Sequence, residues 1–121
     1  MNWTDVLIAA VIIGAFLLYR RTGLISVKDA REHLKNGARV IDVRTAGEFV
    51  AGHLPIAVNL PLGEIETSLS RRVTDKNQVL LLHCQSGARS GVAKKKLIAL
   101  GCPNTYNLGS YARAERIVAG K

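Results

Sequence analysis

The sequence predicts an α/β domain with a mainly parallel sheet and helices on both faces, preceded by one apolar N-terminal helix. Three observations predict it. From Leu24 onward, short β-like runs alternate with helix-like runs, the pattern that requires crossover connections between parallel strands. Two of the β-like runs end in polar, chemically capable residues, as strands do when their carboxyl ends frame a site. The composition also splits: residues 6–19 are an unbroken apolar run, and all 17 Lys and Arg lie at or beyond Arg20. A chain of 121 residues suits one small domain with an appendage, here 1–21 and 22–121.

Residues 3–19 admit three readings: a transmembrane anchor, a signal peptide or a buried core helix. At about 1.5 Å per residue they span roughly 25 Å, marginal for a hydrocarbon core of about 30 Å. Trp3 and Tyr19 stand where interfacial aromatics belong, and Arg20-Arg21 follow as a basic stop. A signal peptide opens on positive side chains and closes on a small-x-small site. Here only Asp5 is charged before the run, which ends Leu17-Leu18-Tyr19. A core helix carries a polar stripe, which this run lacks. The expectation is an uncleaved single-pass anchor in the lipid bilayer over residues 3–19. Because the basic residues all follow it, the positive-inside rule places the N-terminus outside and the domain in the cytoplasm.

The domain elements follow in order. Leu24-Ile25 is a short strand, and Ser26 caps a helix over Val27–Lys35 that Asn36-Gly37 stops. Arg39–Val43 is a buried strand with a polar tip. Thr45 caps a short helix carrying Glu48, Phe49 and Val50, and Ala57–Asn59 is a brief strand before a helical piece around Glu64–Ser70. Gln78–His83, apolar in its middle, is the central strand. Arg89–Leu100 is a helix ended by Gly101 and Pro103, Thr105–Leu108 a last strand and Tyr111–Val118 a last helix.

The net charge is +8, so an anionic substrate, lipid or nucleic acid could be attracted. The few aromatics form no evident stacking platform, so no nucleic acid is expected. Cys84 and Cys102 are too few for a disulfide framework and lack zinc spacing, so neither metal nor cofactor is expected. Two thiols suit a reducing compartment.

Cys84 ends an apolar strand and precedes a helix, with Gly87 between them to bend backbone N–H groups toward a common centre. A loop feeding a helix N-terminus lowers a thiol pKa, and Arg89 adds a full positive charge. The same cradle would hold an anionic adduct on sulfur. Cys84-Gln85-Ser86-Gly87-Ala88-Arg89-Ser90, together with Asp42-Val43-Arg44, Glu48-Phe49, Gly52-His53-Leu54-Pro55 and Asn107-Leu108-Gly109, resembles the rhodanese family of sulfurtransferases. The match runs from about Leu24 to Val118. It departs at Ser110, where a further glycine is common, which touches one wall of the pocket.

The resemblance implies a rhodanese-like, five-stranded domain in which Cys84 is the catalytic residue. The cysteine takes a sulfane sulfur from a small anionic donor such as thiosulfate and passes it, as a persulfide, to cyanide or a thiol acceptor. Residues Gln85 to Ser90 would bind the persulfide, and Asp42 and Arg44 would support the loop. Arg89 and the Lys94-Lys95-Lys96 run would attract the donor. A second reading is a persulfide carrier that hands sulfur to a protein acceptor at the membrane. Cysteine phosphatases are the instructive rival, sharing even the His before the Cys. They need five residues between Cys and Arg to enclose a phosphate, and only Gln85 to Ala88 intervene here. By alternation His83 points to the sheet face opposite Cys84. His53 is expected as a turn or packing residue, His33 as a surface residue and Cys102 as an ordinary loop thiol.

Overall fold

The structure, a computed structural model, describes residues 2–21 and 23–121, without the side chains of residues 19–21. Its elements are α1 (Trp3–Arg21), α2 (Val27–Lys35), β1 (Arg39–Asp42), α3 (Ala46–Ala51), β2 (Val58–Asn59), α4 (Ile65–Arg72), β3 (Leu80–His83), α5 (Ala88–Ala99), β4 (Thr105–Gly109) and α6 (Tyr111–Ala119). A 3-10 turn over Leu62–Glu64 leads into α4.

The strands form one sheet in the order β2-β1-β3-β4, with every pairing parallel. Every residue of β3 is buried, as befits a central strand covered on both faces. Among the described residues, four strands stand where five were expected. Leu24-Ile25 contributes only a parallel bridge from Leu24 to Asn107 and an N–H from Ile25 to the Asn107 carbonyl at 3.0 Å. Gly23 at φ 118° precedes it, and Ser26 follows at once as the cap of α2, so the chain turns away before a ladder can grow.

Alternation along the strands builds two cores. Ile41, Leu80, Leu82 and Cys84 face α4 and α5, meeting Ile65, Leu69, Ala93 and Leu97. Val40, Leu81 and Leu108 face α2 and α6, meeting Ala30, Ala114 and Ile117. Helix starts are fixed locally. Ser26 accepts from the Asp29 N–H and Ser110 from that of Arg113, while Thr45 and Glu48 form a reciprocal capping box.

The expected transmembrane anchor is not supported. Among the described residues no helix is long and apolar enough to cross a membrane. Its apolar side chains from Val6 to Leu18, at about 1.5 Å per residue, cover roughly 20 Å of a core of about 30 Å. Trp3, Val11 and Leu18 are exposed. The expected flank of Tyr19, Arg20 and Arg21 lies outside the described side chains.

Candidate active site around Cys84

The carboxyl ends of β1 and β3 lie side by side, with Asp42 in register with His83. Cys84 follows β3 directly. Its N–H donates to the Gly109 carbonyl at 3.3 Å, and the Tyr111 N–H donates to the Gln85 carbonyl at 3.2 Å. The loop is thus pinned to the end of β4 before it turns into α5.

Gly87 makes that turn possible. It caps α5 at φ 98°, a left-handed conformation costly for a residue with a Cβ. A Cβ there would also lie 3.3 Å from the Gly109 backbone. No side chain caps α5, so its first N–H groups need another acceptor. The Cys84 sulfur supplies it. The Gly87 N–H donates to Sγ at 3.0 Å and the Ser90 hydroxyl lies 3.6 Å from it.

Cys84 is fully buried. Burial pushes its thiol pKa up, but the Ser90 N–H and hydroxyl, then the Gly87 and Ser86 N–H groups, bring it below the ordinary value. The expected lowering thus comes mainly from hydrogen bonds at the start of α5, with Arg89 not among the larger causes. Arg89 instead holds Glu48 of α3, at 2.6 and 3.0 Å.

Ser90 is fixed in turn by Asn107. The Ser90 hydroxyl lies 2.7 Å from Asn107 Oδ1, which also accepts the Gly109 N–H at 2.8 Å, and Asn107 Nδ2 donates to the Gly87 carbonyl at 3.3 Å. One polar side chain on β4 therefore sets both the loop backbone and the hydroxyl facing the sulfur. Ser90→Ala should raise the thiol pKa. The midpoint of the pH–rate profile for Cys84 alkylation should move upward and the rate at neutral pH should fall, because thiolate is lost as pH drops through the thiol pKa. An unmoved midpoint would contradict the role given to the hydroxyl.

Asp42 and Arg44 form a buried pair at the end of β1. The Asp42 carboxylate accepts from the Arg44 backbone N–H, Nε and Nη2, the last at 2.8 Å. That hydrogen bonding raises the Arg44 pKa against its burial. Arg44 also donates to the Gly52 carbonyl at 2.7 Å and sits 4.8 Å from the Tyr111 ring centroid. Its reach to the loop is the longer contact to Gln85 Oε1 at 3.5 Å.

His83 is buried on the face opposite Cys84, edge-on to Tyr111. Its Nδ1 is 3.2 Å from the Cys84 carbonyl, so Nδ1 carries the proton, and burial lowers the ring's pKa. His53 stacks on Phe49 with centroids 3.7 Å apart, and His33 stacks on Tyr106. Cys102 lies in the loop between α5 and β4, as expected, and is buried in the core. Burial raises its pKa, so it stays protonated.

Glu48 and Asn107 have no assigned task at the site in the sequence pattern alone. Asn107 left a signal: a polar residue inside an apolar strand must find partners once buried. Glu48 is legible as the capping-box partner of Thr45, but its tie to Arg89 is not, since Arg89 lies 41 residues away. A cleft of about 360 Å³ lies along the loop, lined by Ser86, Gly87, Ala88, Lys95, Ser110 and Arg113 among others. Ser110, the departure noted above, thus forms part of a wall. Cys84 does not line this cleft, so the chemistry rests on the contacts to its sulfur.

The profile of the rhodanese-like domain matches residues 26–113, which include every one of these site residues. The chain belongs to the rhodanese-like family. An uncharacterized protein of Bacillus subtilis, YqhL, is 33% identical over 110 residues, covering 84% of this chain and 86% of that protein. The thiosulfate sulfurtransferase PspE of Escherichia coli is 35% identical over 69 residues, covering 57% of this chain and 66% of that protein. The human single-domain sulfurtransferase TSTD1 superposes with a TM-score of 0.66 at 28% identity, covering 78% of this chain and 96% of that one. This rhodanese-like chain therefore shares its fold and family with sulfurtransferases.

Proposed function

We propose that the protein is a sulfurtransferase that moves a sulfane sulfur from thiosulfate, or a donor like it, to a thiophilic acceptor through a persulfide on Cys84. The observation that carries this reading is the cradle on the sulfur, with the Gly87 N–H at 3.0 Å and the Ser90 hydroxyl beyond it. Donors aimed at one sulfur stabilise a thiolate and, after loading, the anionic terminal sulfur of a persulfide.

The Cys84 thiolate attacks the outer sulfur of thiosulfate. The S–S bond of the donor breaks, sulfite leaves with the bonding pair, and the persulfide keeps the negative charge. Cyanide or a thiolate then attacks the terminal sulfur and returns the Cys84 thiolate. Gln85 to Ser90 hold the adduct. With four residues between Cys84 and Arg89, the loop suits one added sulfur better than a tetrahedral phosphate.

Because the enzyme is loaded before the acceptor reacts, initial rates with thiosulfate and cyanide varied together should give parallel double-reciprocal lines. Intersecting lines would exclude a free persulfide intermediate. A relay to a protein acceptor is the second reading. It is favoured by Val50, 80% exposed on the helix that carries Glu48, and by nearby Ile56 at 53%. A relay should load sulfur readily but turn over slowly with cyanide.

A further inference from the structure

The cation of the loop is already engaged. Arg89 is held by both carboxylate oxygens of Glu48, at 2.6 and 3.0 Å, while each side chain remains about a third exposed. Glu48 is itself anchored, since its Oε1 accepts the Thr45 N–H at 3.2 Å in the capping box of α3. The nearby Arg44 is likewise balanced by Asp42. These four side chains sum to zero charge, so Arg89 is not the free guanidinium that the sequence suggests.

We propose that Glu48 is a specificity-determining residue of the Cys84 site, disfavouring doubly charged sulfur donors relative to singly charged ones by neutralising Arg89. The selection by charge rests on the arrangement of Glu48, Arg89 and Cys84, and its link to sulfur donors rests on the function proposed above. Arg89 is within electrostatic reach of both partners: Glu48 is the larger influence raising its pKa, and Cys84 adds to it. The Glu48 carboxyl is held down to about 2, chiefly by its hydrogen bonds with Arg89. It therefore keeps its charge across neutral pH, and an incoming anion must compete with it rather than wait for its protonation.

Glu48→Gln removes the charge and keeps the cap, because Gln serves at that position of a capping box. The first readout is alkylation of Cys84 by iodoacetate and by iodoacetamide. Their rate ratio cancels any change in thiol pKa and needs no sulfur chemistry. One like charge removed at roughly 6 Å in a water-like dielectric corresponds to about threefold per unit charge on the reagent. The iodoacetate-to-iodoacetamide ratio should therefore rise about threefold in Glu48→Gln, and less in high salt. An unchanged ratio overturns the proposal, as does an equal rise for both reagents. The second readout uses two sulfur donors, thiosulfate with two charges and methanethiosulfonate with one. The KM for thiosulfate should fall about tenfold and that for methanethiosulfonate about threefold, with kcat less affected. A raised alkylation ratio in a protein that takes sulfur from neither donor would support charge selection and refute sulfur transfer.

Discussion

Cys84→Ser should reduce thiosulfate-dependent turnover to background, a loss on the order of 10⁴-fold or more, as expected when a covalent nucleophile is removed. The hydroxyl ionises far above the thiol, so the N–H groups of the loop would face a neutral group that neither attacks sulfur nor carries it. The fold should survive, because the replaced group is small and the helix N-terminus accepts an oxygen as readily as a sulfur. Cys102→Ala is the matched control. Its thiol is buried among Leu97 and its neighbours and kept protonated by burial, so turnover should persist. Substantial turnover in Cys84→Ser, or its loss in Cys102→Ala with the fold intact, would move the chemistry away from the loop.

The second large effect is on stability. Arg44→Met strips the buried Asp42 carboxylate of its guanidinium partner while filling much the same space. Breaking a buried pair by removing one member typically costs about 3–5 kcal/mol, against a total of about 5–15 kcal/mol for a small domain. The urea midpoint should fall accordingly, with the slope unchanged. Adding Asp42→Asn should restore part of the loss, because the uncompensated charge is then gone. Loop function should suffer as well, since Arg44 ties β1 to Gly52, Tyr111 and Gln85. A midpoint within error of the parent would mean that the pair adds little.

What was legible in the sequence was what short stretches of chain decide. Ser26 and Thr45 announce helix starts because their partners lie within three residues, and the structure uses both of them. Strict alternation put His83 and Cys84 on opposite faces, as the two cores show. What was not legible depends on approach through space. Leu24-Ile25 has the composition of a strand but too little room between Gly23 and Ser26 for more than one bridge. Arg89 reads as a free cation until folding brings Glu48 to it, and Asn107 gains its task only when β4 lies beside the loop. The apolar N-terminal run is marginal in length, and among the described residues no helix is long and apolar enough to cross a membrane.

The central claim is that Cys84 carries sulfur, and the most direct test is the mass of the intact protein after incubation with thiosulfate. The account predicts a gain of one sulfur atom, mapped to the peptide containing Cys84 and removed by a thiol reductant. No gain, or a gain on Cys102 instead, would contradict it.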